Sequence, residues 1–282
     1  MANVKIVTDS LADVPPALMQ GLDITIVPCT VHIAGKTYRD KLDLNISDFY
    51  RLLPTVSKLP TTSNPAVGAF EEVYRQLART TRQIISIHVA SSLSGTWNSA
   101  RLAAQTVKQD TPVMIEVIDS QQLSMAQGWL VVLAARAAAR GSNLMQIVEL
   151  VEAAHARPHL IAMLDTLDYA QRSGRLGKAA SLVGGVLNVK PLLALTRGEV
   201  LPLGVARTQQ HALERLVEIV LQRGLGQEMA VVHCYADVLS RRLKQLMMAH
   251  LPEQQITIAE TGPVSGTHVG PGVVGLAWLA PK

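Results

Sequence analysis

The sequence predicts an α/β protein with two domains, the first built around a parallel β-sheet. The first half alternates short apolar runs with stretches of amphipathic helical spacing, a pattern typical of parallel βαβ units. The chain has 282 residues, which is enough for two hydrophobic cores. A long helical stretch ends at Pro158, and a different pattern follows it. We therefore predict an N-terminal domain over residues 1–158 and a mixed α/β domain over residues 159–282.

Four apolar runs in the first half predict β-strands. They are VKIVTDS (4–10), ITIVPCTVHI (24–33), IISIHVA (84–90) and VMIEVIDS (113–120). Helical spacing between these runs predicts helices over 64–80 and 94–109. Asn64 is the expected N-cap of the first of these helices, and Pro65 its first helical residue.

Helical spacing continues over 128–141 and 144–156, with a break at Gly141 and a cap at Ser142 or Asn143. The pattern after Pro158 mixes strands and helices. It predicts a hairpin over 188–208 that turns at TRGEV, helices over 208–224 and 237–251, and strands over 228–235, 255–260 and 274–280.

Composition excludes several classes of protein. The net charge is +4 and aromatic residues make up 4% of the chain, so the basic, aromatic surface of a nucleic-acid binder is not evident. No apolar stretch reaches the roughly 18 residues of a membrane span. Cys29 and Cys234 lie far apart, which fits a reducing compartment and argues against a zinc module. We expect a cytoplasmic protein without metal, cofactor, nucleic-acid partner or membrane insertion.

Basic residues concentrate between Arg172 and Arg207, where six lysines and arginines stand against Glu199 alone. Such a cluster attracts an anionic ligand or partner, or it forms a solvated surface. The sequence alone leaves both interpretations open.

Common enzyme signatures are missing. The chain has no Gly-x-Ser-x-Gly elbow, and GRLGK lacks the spacing of a nucleotide-binding phosphate loop. Polar residues do follow the predicted parallel strands, among them Asp9, Ser94 and Asp119. Because ligands bind at the carboxyl ends of such strands, these residues indicate a polar rim above an apolar sheet.

Four segments are rich in hydroxyl groups and glycine. They are TTSNP (61–65), SSLSGT (91–96), QRSGRLG (171–177) and SGTHVGPG (265–272). Serine hydroxyls and backbone N–H groups donate hydrogen bonds to a carboxylate, and a nearby arginine or histidine adds charge assistance. Together the segments predict a carboxylate clamp.

Taken in order and spacing, seven segments resemble the DegV family of fatty-acid-binding proteins over nearly the whole chain. They are VTDSLADVP, TTSNP, SSLSGTWNSA, VIDS, SGRLGKAASLVGGVLNVKP, VART and GTHVGPG. The resemblance implies a two-domain α/β fold, with an acyl chain buried in the protein and its carboxylate held between the domains. In bacteria with a fatty acid kinase, such proteins present the bound fatty acid to the kinase for conversion to acyl phosphate.

The resemblance also assigns site residues. Thr61, Thr62 and Ser94 match the positions that grip the carboxylate, while Arg172 and His268 match positions that reach it through water. The expected supporting residues of the loops are Ser63, Gly95, Thr96, Gly266 and Thr267.

Two further arginines, Arg175 and Arg207, match family positions linked to engagement of the kinase. The small residues of ASLVGGVLNV (180–189) leave room for an acyl chain, or they belong to an ordinary core. The chain departs from the family pattern where it has Asn64 for glutamine, Ala90 for serine, and Ser173 for the first glycine of a Gly-Gly pair.

We expect a carrier that binds a long-chain fatty acid and presents its carboxyl group to a kinase, without catalysis of its own. Two alternatives stay open. One is a phosphotransferase or hydrolase that uses Ser94 and His268, with Asp9 or Asp119 as the orienting acid. The other is a lipid sensor or storage protein that has no kinase partner.

Overall fold

The structure is a computed structural model that describes residues 4–56, 58–182 and 189–281. Its strands are β1 (Val4–Asp9), β2 (Ile24–Val27), β3 (Thr30–Ile33), β4 (Lys36–Arg39), β5 (Thr61–Ser63), β6 (Gln83–His88), β7 (Met114–Asp119), β8 (Pro158–Met163), β9 (Lys190–Thr196), β10 (Glu199–Ala206), β11 (Met229–Cys234), β12 (Ile256–Glu260) and β13 (Val273–Leu279). Its α-helices are α1 (Pro16–Met19), α2 (Ile46–Leu52), α3 (Val67–Ala78), α4 (Thr96–Asp110), α5 (Met125–Ala139), α6 (Leu144–Ala154), α7 (Asp168–Arg172), α8 (Gln209–Arg223), α9 (Asp237–Met247) and α10 (Pro263–Val269). Short 3₁₀ segments lie at Ser10–Ala12, Leu53–Thr55, Gly177–Leu182 and Glu253–Gln255.

The first sheet is parallel, with the strand order β2-β1-β6-β7. Both of its faces are buried, which explains why its strands are continuous apolar runs. Ile6, Ile85 and Ile87 pack against α5 on one face. Val7 and Ile84 pack against α3 and α4 on the other face. The parallel sheet and its helices confirm the predicted α/β fold class.

A six-stranded mixed sheet has the order β10-β9-β8-β13-β11-β12. Helices α8 and α9 cover one face through a core that includes Leu216, Leu243 and Trp278. Helix α5 packs against the opposite face, where Trp129 Nε1 donates to the carbonyl oxygen of Ala277 at 2.9 Å. Because α5 lies between two sheets, it is apolar on all sides rather than amphipathic.

A small antiparallel sheet of order β4-β3-β5 lies beside α10. Helix α10 packs against β3, β5 and α2, so the last part of the chain meets the first 63 residues. The predicted domain boundary near residue 158 stays a prediction. Pro158 is the first residue of β8, where the sequence indicated a change of pattern.

Two predictions about the first half are wrong. The run ITIVPCTVHI is not one strand, because Pro28 has no N–H to donate and the chain leaves the parallel sheet there, so that β3 pairs with β4 and β5. Asn64 does not cap α3, which begins at Val67 with Ala66 as its N-cap. The Asn64 side chain instead donates to Ser99 Oγ at 2.9 Å and joins β5 to α4.

Other local predictions are confirmed. Asn143 caps α6 in a capping box with Gln146. The hairpin of β9 and β10 turns at Arg197 and Gly198, whose φ angles of 50° and 78° fit a two-residue turn. Residues 183–188, in the middle of ASLVGGVLNV, lie outside the described residues.

Candidate functional site

A cavity of about 210 Å³ lies between β5, α10, the loop before α4 and one face of the six-stranded sheet. Its floor is formed by strand residues two positions apart, which point to the same face. These are Leu160 and Ala162 of β8, Leu193 and Leu195 of β9, and Val232 of β11. The apolar walls also include Leu11, Val89, Leu93, Leu123, Val264 and Val273. The cavity is far larger than the ~10–15 Å³ that a single water requires.

Thr62 and His268 meet at a polar part of the cavity wall. Thr62 lies on β5, which pairs with β3, and His268 lies in the last turn of α10, which packs on both strands. Thr62 Oγ1 and His268 Nε2 are 2.8 Å apart and share a hydrogen bond across 206 residues of sequence. The imidazole Nδ1 is buried and has no partner among the described residues.

Burial sets the charge of His268. Removal from water and, to a smaller extent, the nearby Arg175 guanidinium together lower the pKa of His268 to about 4. The ring is therefore neutral near pH 7, and only one of its two nitrogens carries a proton at a time. A neutral ring orients a hydrogen-bond partner without adding a positive charge to the cavity.

Ser94 reaches the cavity from the turn between β6 and α4. Its backbone N–H donates to the Ala90 carbonyl at 3.2 Å, and its hydroxyl lies 2.8 Å from the buried Thr96 hydroxyl. Gly95 also lines the cavity, and a Cβ there would lie 3.0 Å from Asn64 Oδ1. The glycine thus allows the close approach of the two segments that carry Thr62 and Ser94.

Of the three arginines predicted at the site or its rim, one lines the cavity and two do not. Arg175 lines the cavity, and its guanidinium donates to the Ser173 carbonyl at 2.6 Å. Arg172 is exposed at the end of α7, does not line the cavity and has no partner among the described residues. Arg207 is exposed just after β10, whose opposite end carries the turn at Gly198. The arginine beside His268 is therefore Arg175.

Thr61 and Ser63 flank Thr62 on β5, where successive side chains alternate between faces. Thr61 is exposed and does not line the cavity. The Ser63 hydroxyl bonds to His32 Nε2 at 2.9 Å, away from His268, although the residue borders the cavity. Of the two threonines that the resemblance assigned to the carboxylate, the structure brings only Thr62 to the cavity.

The supporting residues of the last segment lie in a helix, not in a loop. Thr267 is buried in α10 and its hydroxyl donates to the Pro263 carbonyl at 2.9 Å. Gly266 faces Tyr50, whose hydroxyl would be 2.2 Å from an added Cβ. The Thr267 bond lies within α10, whereas Gly266 allows α10 to approach Tyr50 of α2 closely and thereby helps to position His268.

The residues of the enzymatic alternative do not come together. Asp9 bonds to the buried His88 at 2.9 Å, and Asp119 accepts the N–H groups of Ser91 and Gln121. The hydroxyl of Ser94 bonds to Thr96, whereas His268 bonds to Thr62. Among the described residues, no nucleophile, base and acid are therefore aligned at Ser94 and His268.

Some lining residues carried no sequence signal. Cys29 and Cys234 both border the cavity, and burial raises the pKa of Cys234 to about 11 and that of Cys29 still further. Both thiols are therefore protonated and unreactive near pH 7. Ser124 also lines the cavity. These residues come from segments far apart in sequence, so no local pattern marks them.

The described part of the chain lacks two kinds of feature. No helix there is both long enough and apolar enough to cross a membrane. The same residues contain no group of three or more His, Cys, Asp or Glu side chains placed to hold a metal ion.

Comparisons with known proteins agree with this fold. Residues 3–281 match the family model described as "Uncharacterised protein, DegV family". A DegV domain-containing protein of Caldanaerobacter subterraneus is 34% identical over 279 residues, 98% of each chain.

Two solved structures are also similar along their full length. The fatty-acid-binding DegV family protein of Thermus thermophilus has a TM-score of 0.89 and 28% identity, covering 98% of this chain and 99% of its own. DegV of Bacillus subtilis, a fatty acid binding protein, has a TM-score of 0.88 and 30% identity, with full coverage of both chains. With its sequence and its fold matched from end to end, this chain belongs to the DegV family.

Proposed function

We propose that this protein binds a long-chain fatty acid, with the acyl chain in the apolar cavity and the carboxylate beside Thr62, Ser94 and His268. The observation that carries the proposal is a cavity with apolar walls that also contains uncharged hydrogen-bonding groups and one arginine. The Thermus and Bacillus relatives bind fatty acids, which supports the same ligand class here.

Burial of the acyl chain supplies most of the binding energy in this proposal. Each buried methylene contributes ~0.8 kcal/mol, so a chain of ~16 carbons gains on the order of 10 kcal/mol before the cost of association. Leucine, valine and alanine side chains on the sheet floor provide a suitable surface because they offer no polar group to the chain.

The carboxylate accepts hydrogen bonds from the hydroxyls of Thr62 and Ser94. When His268 Nε2–H donates to Thr62 Oγ1, the threonine proton is free to point at the ligand. Arg175 adds charge assistance from the rim of the cavity. Thr61 and Arg172 lie outside the lining, so we leave them out of the proposed site.

The chemical test is the lipid that the protein carries. We expect protein purified under native conditions to release about one fatty acid per chain on extraction, identified by mass spectrometry. After removal of lipid it should rebind palmitate and leave ester substrates intact. Protein that carries no lipid, fails to bind palmitate and hydrolyses an ester would contradict the proposal and favour the enzymatic alternative.

We further propose that the protein is a cytoplasmic carrier, not a catalyst, and that it presents the fatty acid to a fatty acid kinase. Arg175 and Arg207 are exposed and lack carboxylate partners among the described residues, so both have charge available for an acidic partner. Electrostatic steering of this kind raises the rate of encounter and weakens with added salt.

An assay with a cognate fatty acid kinase tests whether the protein presents its ligand to such an enzyme. We expect Arg207→Ala to keep its bound fatty acid but to slow acyl phosphate formation at low carrier concentration and low salt. Arg101→Ala is the control, since Arg101 is partly exposed on α4, where it bonds to Asn98 and lies over the Trp97 ring. Unchanged turnover of Arg207→Ala would argue against a docking role, and the absence of any activating kinase would favour the lipid sensor.

A further inference from the structure

Two polar atoms of helix α10 lack hydrogen-bond partners at the wall of the fatty-acid cavity. Ser265 and His268 both line the cavity, and they are three residues apart in the helix, so their side chains are neighbours on one face. Ser265 Oγ and His268 Nδ1 are buried, and neither atom has a partner among the described residues. Ser265 as a whole is only 7% exposed. Because buried polar atoms are normally paired, these two atoms together indicate a polar group on the ligand.

The two atoms differ in the partner that they require. When Nε2–H of the neutral His268 ring donates to Thr62 Oγ1, Nδ1 is left as an acceptor and requires a donor. An ionised carboxylate only accepts hydrogen bonds, so the carboxylate of a fatty acid does not satisfy Nδ1. A hydroxyl group on the ligand satisfies both atoms, because it donates its proton to His268 Nδ1 and accepts the proton of the Ser265 hydroxyl.

The position of these two atoms determines where the ligand carries its hydroxyl. The Cβ atoms of residues three apart in a helix are about 5–6 Å from each other, so a single oxygen between the two side chains reaches both at about 2.7–3.0 Å. The same imidazole ring bonds through Nε2 to Thr62, which binds the carboxylate in the proposed site. The hydroxyl therefore belongs within a few bonds of the carboxylate.

We propose that the cavity binds fatty acids hydroxylated on the second or third carbon, with the hydroxyl held between Ser265 Oγ and His268 Nδ1. The inference rests on the proposed fatty-acid site, because that site places the carboxylate beside Thr62. A chain without a hydroxyl leaves both polar atoms unpaired, whereas a hydroxyl against the leucine and valine walls is itself buried without a partner. The pair thus favours a hydroxyl at one position of the chain.

A comparison of ligands on the parent protein tests the inference directly. Kd values would be measured by displacement of a fluorescent fatty acid from delipidated protein. The ligands are palmitate, the separated enantiomers of α-hydroxypalmitate and β-hydroxypalmitate, and ω-hydroxypalmitate, which carries its hydroxyl at the far end. One enantiomer of the α- or β-hydroxy acid should bind at least as tightly as palmitate, and its mirror image about tenfold more weakly, because both polar atoms lie on one wall.

Removal of one hydroxyl identifies the residue that holds the ligand. Ser265→Ala should raise the Kd of the preferred enantiomer about tenfold and leave the Kd values of palmitate and ω-hydroxypalmitate within about twofold of the parent. Ser240→Ala is the matched control, since Ser240 is also buried in a helix but lies outside the cavity, where its hydroxyl donates to the Asp237 carbonyl at 2.9 Å. This control should bind every ligand like the parent.

Three results would overturn the inference. The first is a parent protein that binds palmitate but binds all α- and β-hydroxy acids at least about tenfold more weakly, which would leave the fatty-acid site intact. The second is a Ser265→Ala variant that changes the Kd values of palmitate and of the preferred enantiomer by the same factor, which would also leave the fatty-acid site intact. The third is a parent protein that binds no palmitate, which would overturn the proposed function as well.

Discussion

Neighbouring residues on β5 have different surroundings, and this decides which threonine belongs to the site. Thr62 bonds to His268 in the cavity, whereas Thr61 is exposed. The resemblance to the DegV family assigned both threonines to the carboxylate. A sequence match records the order of the residues but not the face of the strand to which each side chain points. The period of two along a strand separates them.

Substitutions of Thr62, Thr61 and Ser94 test which hydroxyl groups bind the fatty acid. Thr62→Val and Ser94→Ala should each weaken fatty acid binding by about 1 to 3 kcal/mol, because a desolvated carboxylate loses a donor. Thr61→Val is the control and should bind like the parent, since its side chain is outside the cavity. Kd values from fluorescence competition check both points. If Thr61→Val weakened fatty acid binding as much as Thr62→Val, Thr61 would also belong to the binding site.

The low pKa of His268 predicts a pH dependence of stability. The unfolded chain binds a proton near pH 6.5 and the folded chain only near pH 4, so the free energy of unfolding falls as pH decreases through this window. The loss approaches about 3 kcal/mol at pH 4. Urea unfolding of ligand-free parent and His268→Gln, compared between pH 7 and 4.5, isolates this contribution.

The exposed His250 provides the control for that experiment. His250→Gln should keep the pH dependence of the parent, while His268→Gln should lose part of it. Parallel stability curves for the parent and His268→Gln would show that the environment of His268 is more polar than its burial indicates.

At the scale of secondary structure, one short helix brings several parts of the site together. Helix α10 carries His268, Ser265 and Val269 to the cavity. Its first turn is tied to Asp40, whose carboxylate accepts the Val264 N–H at 3.1 Å, and burial raises the pKa of Asp40 to about 6. The position of α10 therefore depends on contacts with residues that precede it by more than 200 positions.

Gly266 determines how closely α10 approaches α2. An added Cβ would lie 2.2 Å from the Tyr50 hydroxyl and 3.1 Å from Phe49 Cε1, and both rings are buried. Gly266→Ala should therefore cost about 1 to 3 kcal/mol of unfolding free energy through overpacking, and it should weaken fatty acid binding by displacing His268. Chemical denaturation and fluorescence competition measure the two effects.

Gly68→Ala is the matched control for this prediction. Gly68 is exposed in α3, and nothing lies within 4 Å of an added Cβ, so alanine there should be neutral or stabilise by about 0.5 to 1 kcal/mol. A Gly266→Ala variant as stable as the parent would mean that α10 shifts without cost.

At the scale of the whole molecule, the cavity exists only when the chain is folded. Its walls combine residues before 125 with the sheet formed after 157, so an unfolded chain has no such site. A ligand that binds only the folded state stabilises it by mass action. The lipid content of a preparation therefore affects its measured stability.

Palmitate should raise the melting temperature of delipidated protein. At 100 times Kd the stabilisation is about 2.7 kcal/mol, which corresponds to a shift of about 5 °C for a chain of this size. Hexanoate at the same concentration is the control and should cause little shift, because it buries fewer methylenes. Differential scanning calorimetry that gives the same melting temperature with and without palmitate would contradict a buried acyl site.

Local patterns in the sequence determined the fold class and many of its elements. Alternating apolar runs and helical spacing predicted the parallel sheet, and the TRGEV turn and the Asn143 cap follow from residues within a few positions of each other. Where the pattern was ambiguous, as at Pro28, the sequence did not reveal that the chain passes from one sheet to another. The sequence also does not predict the helical state of α10, because Gly266 and the flanking Gly262 and Gly270 favour a loop.

The segments of the site were predicted from sequence, but the choice of side chains within them depended on tertiary structure. Thr62 rather than Thr61 and Arg175 rather than Arg172 line the cavity because strand register and helix packing determine which atoms meet. The neutral state of His268 likewise results from burial by residues distant in sequence. Hydrogen bonds, desolvation and cavity shape depend on the distances between side chains in space. Spacing along the sequence determines these distances only for residues of the same strand or helix.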